Sequence, residues 1–598
     1  MEKLPERKDI KKELTWNLED IYKSDEAWEK DFKKIQNLAK SFPKYEGKLC
    51  ESAKTLLSFY SELTKFNVIA EKLFTYVMLR CSEDNSASKY TEMRGRANFA
   101  LMNISASVSF AQNEIIKAGE KKIKAFIEEE PKLKDYDFEF KELFRQKKHV
   151  LSQKEERLLA LSAAHANTGD DVFTMFNNAD LKFGTIKNAA GKKVELTKGN
   201  YSSFIESKNR DVRKNAFKEM YAAYKAYINT IAACYAGNVK AEYFYASVRK
   251  YGSSIEASLD SDKIPVSVYD NLIQTVHDNM DKLTEYLKHR KKAMGLKELH
   301  MYDLYVPIVE VPTKKYTYEE AQKLVLAAVA PLGKDYCKVI ERAFKERWID
   351  VCENKGKTSG AFSCGVYGVH PYILLNWQGT INDVFTLAHE LGHTMHSYYS
   401  NQKQPYAKSN YKIFVAEVAS TVNENLLLDY FLKNTKNKKE RTYILNHYLE
   451  EFRATVYRQV MFAEFEKKAH AVVGAGGALT AESLSDMYYE LNKEFFAAAV
   501  KVDEDIKYEW ARIPHFYNSF YVYKYATGFS AAVALAKGIL SGDKKKIKAY
   551  RDFLAAGGSD YPIEELKAAG VDLSTPKPVQ DALDVFYDNV KTLEAETK

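Results

Sequence analysis

Thr380-Ile381-Asn382-Asp383-Val384-Phe385-Thr386-Leu387-Ala388-His389-Glu390-Leu391-Gly392-His393-Thr394-Met395-His396-Ser397-Tyr398-Tyr399 is the stretch from which the rest of the chain is read. Its spacing predicts a helix over Asn382 to Tyr399, opened by Thr380 and Asp383 as a capping-box-like start. Val384, Ala388, Leu391, Met395 and Tyr398 recur at helical spacing and form an apolar stripe, while His389, His393 and His396 fall on a neighbouring one. Residues four apart share a helix face, so the imidazoles of His389 and His393 can grip one metal ion together. Glu390 projects about 100° round the helix, beside the metal and not on it, where it can handle the proton of an activated water. That is a zinc hydrolase site in outline. With 12 histidines in 598 residues, chance alone gives His-Glu-x-x-His in roughly one such chain in fifty, so the helical context adds weight that the motif alone lacks. His396, one turn further on, points along the helix away from such a metal and reads as a packing or substrate-side residue.

Two histidines do not complete a catalytic zinc site, which ordinarily has three protein ligands and one open position. Phe414-Val415-Ala416-Glu417-Val418-Ala419-Ser420-Thr421-Val422-Asn423-Glu424 supplies the third candidate. Glu417 sits inside an otherwise apolar or small run, where a bare carboxylate is costly to bury and a cation removes the cost. Glu424 lies two turns on along the same face and could accept the spare N–H of a ligand histidine.

The spacing from His389-Glu390-x-x-His393 to Glu417, with its Phe-Val-Ala-Glu-Val-Ala-Ser context, resembles the oligopeptidase F branch of the thimet-oligopeptidase-like zinc peptidases. The block Arg512 to Gly528, which holds Pro514-His515-Phe516-Tyr517 and Tyr521-Val522-Tyr523-Lys524-Tyr525, is similar to a further block of that family. So are Gly360-Ala361-Phe362-Ser363, Pro371 to Trp377 and Leu181 to Tyr201. The likeness runs from about residue 110 to the C-terminus, and the first hundred residues match only in being helical and charged. The resemblance implies a mainly α, zincin-type metallopeptidase, with two helical halves around a deep channel and a small β-sheet beside the zinc helix. It implies one Zn²⁺ on His389, His393 and Glu417, with Glu390 as general base. It also implies that the Arg512–Gly528 block donates hydrogen bonds to the oxyanion that forms when a peptide carbonyl is attacked. His515 and Tyr523 carry over as those donors. Because this block's spacing departs from the thimet branch, Tyr517 and Tyr521 both stay open as a further donor. The organisation expected is an N-terminal helical region over 1–110, an oligopeptidase F-like lobe over 111–200 ending in a β-hairpin, and a helical catalytic domain over 201–598.

Composition is that of a soluble globular protein, with 29% charged and 45% hydrophobic residues. A net charge of +7 is small for this length and argues against nucleic acid as a partner. No apolar run approaches the length that spans a bilayer. Met1 to Lys8 carries charges with no apolar segment behind them, unlike a signal peptide. Cys50, Cys81, Cys234, Cys337, Cys352 and Cys364 are scattered without paired spacing. Together these features lead to the expectation of a cytoplasmic protein with reduced thiols.

Leu181 to Thr197 reads as a β-hairpin and Ser363 to Trp377 as a short sheet element with Tyr372 to Leu375 as its apolar strand. A strand just ahead of the metal helix could hold a peptide substrate by strand addition or be an ordinary core strand, and the resemblance to zinc peptidases implies the former, with Tyr372 to Leu375 as the substrate edge. The function expected is zinc-dependent endopeptidase action on short oligopeptides. One rival is a zinc metallocarboxypeptidase, with Arg512 as the group that binds a terminal carboxylate. The other is a non-catalytic helical peptide-binding protein.

Overall fold

Long amphipathic segments account for most of the chain. In the helix Ala53–Glu83, Ser52 caps the first turn by accepting the Thr55 N–H, and Leu56, Phe59, Phe66, Leu73, Tyr76 and Val77 are buried at helical spacing. The computed structural model describes residues 4–310 and 312–597. Helices dominate it and the strands amount to two small sheets, so the mainly α architecture expected from the sequence is the one observed. The chain forms two compact units, each assembled from three separate stretches. Met1–Lys148, Lys314–Tyr430 and Leu535–Val571 make the first, and His149–Thr313, Phe431–Ala534 and Asp572–Lys598 the second. These units cut across the linear segments 1–110, 111–200 and 201–598.

In the first unit one apolar core runs from Trp16, Trp28, Phe42 and Phe59 through Ile115 and Phe140 to Tyr372 and Leu374. The N-terminal residues therefore share a core with the strands beside the histidine motif. A buried ion pair ties them further: the Asp350 carboxylate, fully out of water, accepts from Arg7 at 2.8 Å and pairs with Lys357 at 2.7 Å. Removing either cation would leave that carboxylate under-compensated.

The sheet in this unit has strands β3 (Ile349–Asp350), β4 (Phe362–Cys364) and β5 (Tyr372–Leu374), the numbering following β1 (Thr185–Lys187) and β2 (Lys193–Glu195) of the second unit. The order is β3-β5-β4, with β3 parallel and β4 antiparallel to β5, and with Ile373 opposite Ile349 on one side and Ser363 on the other. This corrects the idea of Tyr372 to Leu375 as a substrate edge. That strand is the middle one, with its backbone paired on both sides and its side chains buried, which is why it reads as an apolar run. The edge nearest the histidine motif is β4, where the Ser363 hydroxyl meets the Thr394 hydroxyl at 2.8 Å.

The motif helix itself spans Ile381–Lys403. Thr380 and Asp383 form the expected capping box, with Thr380 N–H donating to the Asp383 carboxylate at 2.7 Å and Asp383 N–H to the Thr380 hydroxyl at 3.3 Å. Val384, Ala388, Leu391 and Met395 are buried as the stripe requires, and Tyr398 is half-buried.

The second unit carries the expected hairpin, β1 (Thr185–Lys187) and β2 (Lys193–Glu195), antiparallel with Ile186 opposite Val194. Asn188 organises its turn by accepting the N–H groups of Ala190 and Lys192 at 3.0 Å, and Gly191 adopts the left-handed φ of 78° that the turn demands. Its aromatic core includes Tyr235, Phe465, Trp510 and Phe516, whose ring centroids lie 5.0 to 6.3 Å apart.

Candidate metal centre

The motif helix crosses a second helix, Ile413–Asn434, at very short range. A Cβ placed on Gly392 would lie 2.5 Å from the Ala419 carbonyl oxygen and 2.5 Å from the Ser420 Cα. Only a residue without a side chain allows this approach. Helical periodicity alone does not single out Gly392; a glycine between two candidate ligand histidines is the signal that marks it. Asn423 locks the crossing, donating its amide N–H to the Ala388 carbonyl at 3.0 Å while its own carbonyl accepts from the Tyr336 hydroxyl at 3.3 Å. Gly392→Ala is expected to cost about 1–3 kcal/mol by overpacking and, if the triangle of His389, His393 and Glu417 holds zinc, to lower zinc retention by moving Glu417 off the histidines. Thermal melts and zinc analysis check this; a variant that melts and holds zinc like the parent would refute the close-approach account.

The crossing brings together the three residues expected as ligands. His389 Nε2 lies 3.2 Å from His393 Nε2, and each lies 3.4 Å from Glu417 Oε2. Atoms held about 2.0–2.1 Å from a tetrahedral zinc stand about 3.3–3.4 Å from one another, so the triangle already has the dimensions that such an ion needs. Glu424 Oε1 lies 3.1 Å from His389 Nδ1, so an N–H at Nδ1 has an acceptor there and Nε2 is the ring nitrogen turned to the centre of the triangle. Ser420 donates to Glu417 Oε2 at 3.0 Å.

The Glu417 side chain is 46% exposed, so its sequence-based rationale needs correcting. Its helix buries the Phe414, Val415, Val418 and Val422 side and turns Glu417 out towards the imidazoles. Burial alone would raise its pKa; hydrogen bonds from His389 and His393 outweigh this and hold it well below the usual range. Glu390 is the buried carboxylate, at 6% exposure. Its Oε2 has no hydrogen-bond partner among the described residues, and burial pushes its pKa up against the opposing pull of His389 and His393. An orphaned buried carboxylate beside a ligand triangle fits a group whose partner is a water or substrate that arrives with a cation.

His396 and His370 are packing residues. His396 is buried and stacks on Tyr411 with centroids 3.7 Å apart, and His370 stacks on Trp348 at 4.6 Å. A further group, His277, Glu464 and Glu494, also gathers potential ligand atoms. There, however, Glu464 is already satisfied by His277 at 2.6 Å and Lys468 at 2.9 Å, so the cation is supplied by the chain.

His515, Tyr517 and Tyr523 belong to the second unit. His515 is exposed on the turn Pro514–Tyr517, with the Tyr525 hydroxyl 3.5 Å from its Nε2 and the Tyr521 ring 6.2 Å from its own. Tyr517 instead stacks on Phe173 at 4.3 Å, and Tyr523 is buried against Tyr269 at 4.9 Å. The rings gathered round His515 are thus those of Tyr521 and Tyr525, and the Tyr525 hydroxyl is the one within 3.5 Å of its Nε2.

Comparison with known proteins matches residues 203–585 to peptidase family M3 and residues 114–183 to the oligopeptidase F family. The chain is 45% identical to Oligopeptidase PepF of Bacillus subtilis (strain 168) over 594 residues, 99% of this chain and 88% of the relative. It is 41% identical to an oligoendopeptidase F homolog of Lactococcus lactis subsp. lactis (strain IL1403), covering 98% of both chains. Among solved structures, oligoendopeptidase F from Enterococcus faecium superposes with a TM-score of 0.76 at 35% identity, over 96% of this chain and 99% of that one. A protein from Chlamydophila abortus gives a TM-score of 0.92 at 32% identity, over 99% of this chain and all of that one.

Proposed function

The chain belongs to peptidase family M3 as a metalloendopeptidase of the oligopeptidase F type, and on that premise we propose that it uses one Zn²⁺, held by His389, His393 and Glu417, to cleave internal bonds of short unstructured peptides. The observation that carries the reading is the triangle of ligand atoms 3.2 to 3.4 Å on a side. Zinc held by these three residues would supply a Lewis acid able to acidify a water and polarise a carbonyl. Glu390 takes the proton of the attacking water and returns it to the leaving amine. Glu424 keeps His389 in the tautomer that ligates. His515 donates to the oxygen on which charge develops, with a tyrosine hydroxyl of the Tyr517–Tyr525 block as second donor. Tyr525 suits that role better than the buried Tyr523 or the Phe173-stacked Tyr517, because it stands beside His515 and is only half-buried.

An extended peptide can add to the outer edge of β4, where backbone groups are free of sheet partners among the described residues. Strand addition returns far less than the ~5–15 kcal/mol needed to unfold a stable domain, so the substrates are short and unstructured. The carboxypeptidase alternative loses its anchor. The buried Glu509 accepts from Arg512 at 3.1 Å and from Arg458 at 2.8 Å, so the Arg512 charge is already answered. The intact ligand set disfavours a non-catalytic binding protein. A cytoplasmic setting is part of the proposal, supported by six free cysteines and by the lack of any helix long and apolar enough to cross a membrane among the described residues.

The test pairs metal analysis with mass spectrometry of products from peptides blocked at both ends. We expect one zinc per chain and internal cuts, with the same sequence inside a folded domain left whole. Release of single C-terminal residues from unblocked peptides alone would overturn the endopeptidase reading.

A further inference from the structure

Phe520 lies between the turn that carries His515 and the helix Tyr523–Leu540, and its φ of 57° is in the left-handed region. A side chain with a Cβ rarely adopts that conformation. The other non-glycine residues that do so among the described ones are Lys250, Lys263 and Arg347; Phe520 alone among them is aromatic and buried in the core. Something must hold it there. Its N–H donates to Glu466 Oε1 at 3.0 Å, and its ring packs on His470 at 4.6 Å and on Tyr269 at 5.9 Å. Glu466 and His470 stand one turn apart on the helix Arg458–Gly474, and both are buried. Glu466 Oε2 has no hydrogen-bond partner among the described residues. A carboxyl group carried this deep into an apolar core for one hydrogen bond is costly, and a packed apolar residue would serve stability better.

We propose that Glu466 is a positioning residue for the catalytic loop: by accepting the Phe520 N–H it holds the left-handed turn that folds Tyr521 and Tyr525 back against His515. The chain reverses at Phe520, so that the Tyr521 ring lies 6.2 Å from His515 and 5.4 Å from Tyr525. Without the acceptor, Phe520 would relax to negative φ and the two tyrosines would leave the imidazole. Burial raises the Glu466 carboxyl pKa and so favours its neutral form, and glutamine is a close mimic that keeps the accepting oxygen.

The inference rests on the reading of His515 and its tyrosines as oxyanion donors, so the experiment separates the two. Full-length, zinc-loaded Glu466→Gln, Glu466→Leu, His515→Ala and Tyr525→Phe are assayed on an internally quenched peptide blocked at both ends, with zinc content and circular dichroism alongside. Expected are a fall in kcat of tenfold or more in Glu466→Leu with KM within twofold and zinc unchanged, recovery to within threefold of the parent in Glu466→Gln, and losses in the two loop variants. If the Leu variant does not fold, Glu466→Asn, whose amide is one methylene too short for the bond, replaces it with the same expectation. Loop variants that lose activity while Glu466→Leu keeps its kcat, or a Gln variant as impaired as Leu, would overturn the positioning role alone. Loop variants that leave kcat unchanged would overturn the oxyanion reading and this inference with it.

Discussion

Glu390→Gln is expected to keep zinc at the parent's level and to lose hydrolysis by at least about 10²–10⁴-fold, the range typical of removing a general base. Glutamine fills the same space, and Glu390 takes no part in the ligand triangle, so nothing that holds the metal changes. What disappears is the capacity to accept a proton at a carboxylate that is 6% exposed and whose Oε2 has no protein partner among the described residues. Turnover of a blocked peptide, read beside zinc per chain, decides the matter. Zinc loss in this variant would mean that Glu390 is a ligand and that the division of roles is wrong.

The second large effect is on the metal. His389→Ala and His393→Ala should each lose zinc and activity together, because two remaining ligands cannot hold a catalytic ion against water. The fold should survive. The motif helix is anchored by buried Val384, Ala388, Leu391 and Met395 and by the Asn423–Ala388 hydrogen bond, none of which needs zinc. Glu417→Ala should likewise weaken zinc binding. Circular dichroism and plasma mass spectrometry on dialysed protein check these outcomes; full zinc occupancy in both histidine variants would sink the ligand assignment.

Much of this centre was legible in advance because its determinants are local. Helical periodicity set His389 and His393 on one face, and the Thr380–Asp383 box marked where that face begins. Asn188 and Gly191 marked the hairpin turn, since turn conformation is chosen by the residues in the turn itself. Glu417 was picked out for a partly mistaken reason: its apolar neighbours did signal a packed helix, but the carboxylate itself stands half-exposed at the helix face that meets the imidazoles.

The tyrosines of the second unit show where local reading stops. Four hydroxyls within nine residues, Tyr517 to Tyr525, look interchangeable in sequence. Phe173, Tyr269 and Glu466, each from a distant part of the chain, decide that two of them stack or bury while two gather round His515.

The sequence by itself determined the motif helix and the candidate ligands it presents, because helical phase and caps are written within a few residues. Tertiary structure alone decided that Tyr372–Leu374 is the central strand, that the first hundred residues share its core, and that the histidines and Glu417 close to a zinc-sized triangle. Strand order and helix separation are set by contacts between segments far apart in the chain, and here the decisive one is the bare backbone of Gly392 against Ala419 and Ser420.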